Sequence, residues 1–239
     1  MQIEIRHSPA YAIARCTLAG GESIRVQPDA MVAHSAGLTL DAKVDGGLMS
    51  GLKRKVLGGE SFFVTTWTAP AEGGWIDVAT YLVGDVFSLP VNGNALLVSR
   101  GGWVASGGTV EIDARWGGMK NLMGGEGGFI VRATGHGDIV LACYGALDVF
   151  DLAPGERFVL DTNHMVAYDE SVQYITRRAA EGKSIQSVKS GEGLVFEFTG
   201  PGKVYTQTRS PQSLINWLQN TLSFSGSGSG GSGLGSLLS

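Results

Sequence analysis

Apolar and polar residues alternate over short runs along most of this 239-residue chain. Ile3 and Ile5 alternate with Gln2, Glu4 and Arg6, and Leu38, Leu40, Ala42 and Val44 share one face of the run 37–44. A two-residue period marks half-buried strands. It predicts strands at 2–7, 12–18, 23–26, 31–35, 37–44, 62–68 and 75–82. It predicts more at 86–89, 95–99, 110–115, 129–134 and 138–144, then at 157–160, 165–168 and 172–177, and a hairpin within 190–208. The pattern changes once, at 210–222, where Leu214, Leu218 and Leu222 recur every four residues with Ile215 and Trp217 beside them. Ser210 suits an N-cap and Pro211 the first turn, so this stretch predicts a short amphipathic helix docking on the β-body.

The strand runs repeat. A Gly-Glu turn, a strand, a tight turn and a second strand occur at 59–79, 125–144 and 190–208, with Glu60, Glu126 and Glu192 at a constant interval of 66 residues. Each repeat also has an earlier opening, at Glu22, Asp85 and Glu156. Met31-Val32-Ala33 recurs as Met165-Val166-Ala167 and, loosely, as Leu96-Leu97-Val98. Ordered openings at a fixed period predict an internal triplication, with repeats at about 19–83, 84–153 and 154–209. A unit this small buries too little apolar surface alone, so three side by side are expected to share a core in a pseudo-threefold body. The six acids read as turn residues that accept backbone N–H bonds or face water.

Composition supports this picture. Hydrophobic residues make up 43% and charged residues 17%, enough for a core and too little charge for a disordered chain. The 37 glycines against 7 prolines fit many tight turns. A net charge of −4 disfavours nucleic acid, whose affinity comes mostly from neutralising phosphates. Cys16 and Cys143 lie in no CxxC pair and read as buried thiols. No signal-peptide pattern and no apolar run of about 18 residues occurs, so a cytoplasmic protein is expected. Residues 223–239 are a Gly/Ser-rich tail expected to be flexible.

Chemistry is sparse. His7, His34, His136 and His164 form no ligand-spaced cluster, and no nucleophile elbow, Walker loop or dinucleotide fingerprint occurs. No metal, cofactor or catalytic residue is therefore assigned. Trp67, Trp75, Trp103, Trp116 and Trp217 could line a ligand groove or serve in β-core packing. Irregular connections lie at 45–57, 116–123 and 179–189. In the first, Lys53, Arg54 and Lys55 stand beside Leu48, Met49 and Leu52. Such a segment either covers the end of the body or forms a contact surface for another subunit or a membrane.

GGLMSGLKRKVLGGESFF, the Gly-Glu openings, NHMVAYDESVQYITR and GEGLVFEFTGPGKVYTQTRSP together resemble the altered inheritance of mitochondria family, related to mitochondrial biogenesis. The resemblance runs from Ile3 to about Leu222. It implies a β-sandwich fold like that of the tryptophan RNA-binding attenuation protein, a class related to double-stranded β-helices. It implies no catalytic residues, and in the eukaryotic branch a membrane-associated mitochondrial role. The expected protein is all-β: three tandem sandwich-like repeats and one short helix, with residues 1–222 as one body. The expected function is a non-enzymatic, self-associating scaffold or binding protein. The alternatives are a small-ligand or nucleic-acid-binding module and a peripheral membrane organiser.

Overall fold

A computed structural model of the chain describes residues 1–41, 64–99, 101–115, 130–179 and 194–222. The first part of the chain forms β1 (Gln2–Arg6), β2 (Ile13–Leu18), β3 (Ser23–Val26), β4 (Met31–His34), β5 (Thr39–Asp41), β6 (Thr65–Thr68) and β7 (Gly74–Val78). Next come β8 (Gly84–Asn92), β9 (Leu96–Ser99), β10 (Trp103–Gly107), β11 (Val110–Arg115) and β12 (Ile130–Tyr144). The last part forms β13 (Leu147–Leu152), β14 (Arg157–Asp161), a 3-10 turn (Thr162–His164), β15 (Met165–Asp169), β16 (Gln173–Arg178), β17 (Leu194–Thr199), β18 (Gly202–Gln207) and α1 (Pro211–Thr221), the one α-helix among the described residues. The protein is mostly β, and the described strands form three sheets.

One antiparallel pairing scheme occurs three times along the chain. In the first segment β7 lies between β2 and β4, and β6 lies between β3 and β5. In the third segment β18 lies between β13 and β15, and β17 between β14 and β16. In the second segment one long strand does both jobs: the C-terminal half of β12 pairs β8 and β10, and its N-terminal half pairs β9 and β11.

Fine details follow the same scheme. The pairing register shifts between Met31 and Ala33, between Trp103 and Ala105, and between Met165 and Ala167. A β-bulge inserts one residue and re-aims its neighbours, and in all three places the inserted residue is valine. The glycine that turns each first strand into the next has positive φ: Gly21 at 74°, Gly93 at 88° and Gly155 at 79°. Glycine adopts that region at no steric cost. The intervals 21 to 93 to 155 and 31 to 103 to 165 are the same in both sets.

Two of the described strands, β10 and β13, fall outside the runs that alternation predicts. In β10 all five residues are buried, so no polar position marks a period. Its equivalence to Met31-Val32-Ala33 falls on Trp103-Val104-Ala105, not on Leu96-Leu97-Val98, which belongs to β9. In β13, Leu147-Asp148-Val149-Phe150-Asp151-Leu152, alternation is broken by Phe150, and the strand is mostly exposed.

Neighbouring segments join edge to edge. β10 pairs β3, with Ala105 opposite Val26 and Gly107 opposite Ile24. β15 pairs β9 in the same way, with Ala167 opposite Val98 and Asp169 opposite Leu96. A sheet shared like this brings apolar residues of successive segments together. Val104, Ala105, Val140 and Ala142 therefore pack with Ile24, Val26, Ile76 and Val78 in a first core cluster. Val166, Ala167 and Tyr205 pack with Leu96, Val98, Ile139 and Leu141 in a second. Phe196, Phe198, Tyr168 and Val204 centre a third. The interior is thus three successive clusters, where a single common core was expected.

Closure into a pseudo-threefold body would need a third junction, between β4 and β14. The described strands do not make it: β4 ends a four-stranded sheet, β1-β2-β7-β4, and β14 ends a three-stranded sheet, β14-β17-β16. The helix differs from expectation too. The Ser210 hydroxyl caps it by accepting from the N–H of Ser213 at 3.1 Å. None of its residues is buried, however, and Trp217 is 60% exposed. Leu214 and Ile215 at its start are half-buried, while Leu218 and Leu222 further along the stripe are exposed.

Candidate interaction surface

The predicted site residues separate into turns, strand positions and positions outside the described residues. Glu22 and Glu156 close equivalent turns in the same way. Each Oε2 accepts a backbone N–H three residues back, from Ala19 and Ala153, at 2.8 Å. Each glutamate N–H in turn donates to the carbonyl of that same residue at 3.0 Å. These carboxylates hold the backbone at a strand reversal. Burial works against the charged form of Glu22, but the α-amine of Met1 at 2.5 Å and the N–H of Ala19 outweigh it and hold the carboxyl below its usual range.

Asp85 does not belong to this set. It lies in β8, opposite Cys143, and its Oδ1 accepts from the Ser8 hydroxyl at 2.8 Å and from the N–H of Val86 at 3.0 Å. The equivalent turn in the second segment is Gly93-Asn94, with an amide where the others have a carboxylate. The repeated glycine is the signal for it. Glu60, Glu126 and Glu192 lie outside the described residues, as do Leu48, Met49, Leu52, Lys53, Arg54, Lys55 and Trp116.

The four described tryptophans do not converge. Trp67 and Trp103 are core residues of different clusters, and Trp217 stands on the exposed helix. The guanidinium of Arg15 sits 3.9 Å over the ring of Trp75. The histidines are dispersed as well. Nδ1 of His34 bonds the carbonyl of Ser35 at 2.9 Å, and Nδ1 of His164 bonds that of Gln207 at 2.6 Å. Among the described residues no group of three His, Cys, Asp or Glu is placed to hold a metal ion. The two cysteines are free and buried. Burial, then the charges of Asp77 and Asp138, push Cys16 up to about 12. Burial pushes Cys143 up to about 11.

Sequence reasoning missed a charged cluster on the outer face of the first sheet. Asp77 is buried in β7, at the position filled by Val140 in the second segment and Tyr205 in the third. Arg15 donates to both of its carboxylate oxygens at 2.8 Å, and Arg6 adds a third bond at 2.7 Å. The bonds from Arg15 lead the causes that hold Asp77 below the ordinary aspartate range. At the other end of the body, Glu197 on β17 is held by Arg157 and by Arg177, the latter at 2.8 Å. Arg6, Arg15 and Asp77 come from three strands, so spacing along the chain gives no hint of the cluster.

One recess of ≈ 650 Å³ lies at the junction of the second and third segments, among Asn92, Asn94, Asp169, Glu170, Lys203 and Tyr205. Its acids are already engaged: Glu170 binds Arg132, and Asp169 accepts the N–H of Lys203 at 2.8 Å. Away from the recess, Met31, Val32, Val149, Phe150, Val159 and Ile175 are among the exposed large apolar side chains of the first and third segments.

Antiparallel strands in three sheets, with one capped α-helix among the described residues, define an all-β protein. The chain belongs to the family described as mitochondrial biogenesis AIM24, which matches residues 3–209. An uncharacterised protein of Streptococcus pyogenes serotype M6 is 26% identical over 230 residues, covering 93% of this chain and 91% of that protein. The crystal structure of a Streptococcus pyogenes protein superposes with a TM-score of 0.77 at 24% identity, covering 92% of this chain and 99% of the other. That likeness shows the fold. Among the described residues no helix is long and apolar enough to cross a membrane.

Proposed function

We propose that this protein is a non-enzymatic scaffold made of three tandem copies of one sandwich-like β-unit, and that it works by self-association. The threefold recurrence of one pairing scheme, down to the valine bulge, is the observation that carries the reading. The fold implied by the resemblance, that of the tryptophan RNA-binding attenuation protein, suits such a unit. Two internal junctions built by strand pairing make edge-to-edge joining this chain's own mode of assembly. The dispersed histidines, the high thiol pKa values and the engaged acids of the recess favour a surface that binds over a centre that reacts. The 48–55 segment remains the proposed second contact, with a subunit or an anionic membrane.

Native mass spectrometry of the full chain tests the reading. Masses at multiples of 25.0 kDa with no retained small molecule are expected. A single-chain mass throughout, or a stoichiometric bound ligand, would overturn it.

A further inference from the structure

Two positions of the repeating scheme are buried at both internal junctions and exposed at the ends of the chain. Val104 and Val166, the bulge residues of β10 and β15, are 0% and 1% exposed, whereas Val32 in β4 is 57% exposed. The residues before them behave alike: Trp103 and Met165 are buried, and Met31 is 39% exposed. On the opposite side of the junction, Leu97 of β9 packs against the third core cluster. Its equivalent in β14, Val159, is 48% exposed. Apolar side chains thus occupy junction positions on strands that have no junction among the described residues.

We infer that β4 of one chain pairs antiparallel with β14 of a second copy, reproducing the internal junction and adding chains head to tail. This rests on the scaffold reading and names its contact. The register follows from the two internal examples. Ala105 faces Val26 and Ser106 faces Arg25 at the first junction, and Ala167 faces Val98 and Tyr168 faces Leu97 at the second. The third junction then places Ala33 opposite Leu160 and His34 opposite Val159 of the neighbouring copy. Each chain has one edge of each kind, so the contact is heterologous and one joint leaves two further edges open. An exposed strand edge is a ready template for another strand.

The ends are not simple copies of the interior, and the difference sets the strength of the joint. Asp77 stands where Val140 and Tyr205 pack against the preceding core. With Arg6 and Arg15 it makes the approaching face charged, so less apolar surface is covered than inside the chain. The joint is accordingly reversible, while the internal ones are permanent.

The test uses two variants of the full chain, Val32→Lys and Val159→Lys. Each blocks one edge at an exposed position, and circular dichroism with a thermal melt checks that both are folded. Each alone sediments as a single chain, whereas the wild type forms larger species. Mixed one to one, they form a heterodimer and nothing larger, because only one compatible pair of edges remains. Larger species in either variant alone, or no heterodimer in the mixture, would overturn the proposal. If the wild type self-associates but ignores both substitutions, the scaffold reading survives and this contact does not. A second measurement covers the case of misfolding: His34→Cys and Val159→Cys together should give an oxidised ladder of linked chains on a non-reducing gel. A monomer cross-linked within itself would show that the body closes on its own ends, against the proposal.

Discussion

Both carboxylate oxygens of Asp77 are bonded by Arg15, each at 2.8 Å, on a strand where the two equivalent positions are apolar. A buried acid in such a clamp is costly to disarm from one side, because the arginines lose their partner. Asp77→Asn should lower unfolding free energy by about 2–3 kcal/mol, the scale of hydrogen bonds to charged groups. Urea titration at neutral pH checks this. The pH dependence has a fixed sign. The folded pKa lies below the ordinary value of 3.8, so the contribution is complete above that value and fades as pH falls through the folded pKa. The gap between wild type and Asp77→Asn should therefore close in acid, and a constant gap from pH 7 to 2 would contradict the clamp.

The turn acids should behave as structural groups. Glu156→Ala removes the bond to the N–H of Ala153 and should cost about 1 kcal/mol, typical of a lost cap. Glu156→Gln retains an acceptor oxygen and should recover part of that loss. Equal losses in the two variants, measured by chemical denaturation, would place the role in the charge instead of the turn.

Thiol chemistry offers a check on the interior. Cys16 is raised to about 12 and Cys143 to about 11, so little thiolate exists at pH 8. Ellman's reagent should react with the native chain only as fast as the chain opens, and with both thiols at once in denaturant. Rapid modification of either cysteine in the folded protein would contradict their burial.

The valine bulges should differ in worth although their sequences match. Val104→Ala removes two methyl groups from the first core cluster and should cost about 1–3 kcal/mol. Val32→Ala acts on an exposed side chain and should change single-chain stability by less than about 0.5 kcal/mol. Chemical denaturation at low protein concentration, where chains are separate, makes the comparison clean. Equal costs would mean that β4 is already covered.

Much of the fold was legible because its strands carry one polar face. Ile3 and Ile5 against Glu4 and Arg6 gave β1 directly, and Ser210-Pro211 gave the helix start. Where both faces are buried, as in β10, no alternation survives, and the pattern points to Leu96-Leu97-Val98 instead of Trp103-Val104-Ala105. Gly84-Asp85 looks like Gly21-Glu22 in sequence, although Asp85 lies within β8. The true equivalent, Gly93-Asn94, carries the same backbone requirement with a different side chain. The Asp77 cluster was hidden because Arg6, Arg15 and Asp77 meet only through strand pairing. The helix misled in another way: a four-residue leucine spacing states which face is apolar and not what covers it.

Sedimentation velocity of the full chain over a hundredfold range of concentration tests the central claim most directly. The account predicts a weight-average mass that starts at 25.0 kDa and rises with concentration, with the series shifting when salt is added, because charged groups flank the joint. A mass that stays at one chain across the whole range, at low and high salt alike, would contradict it.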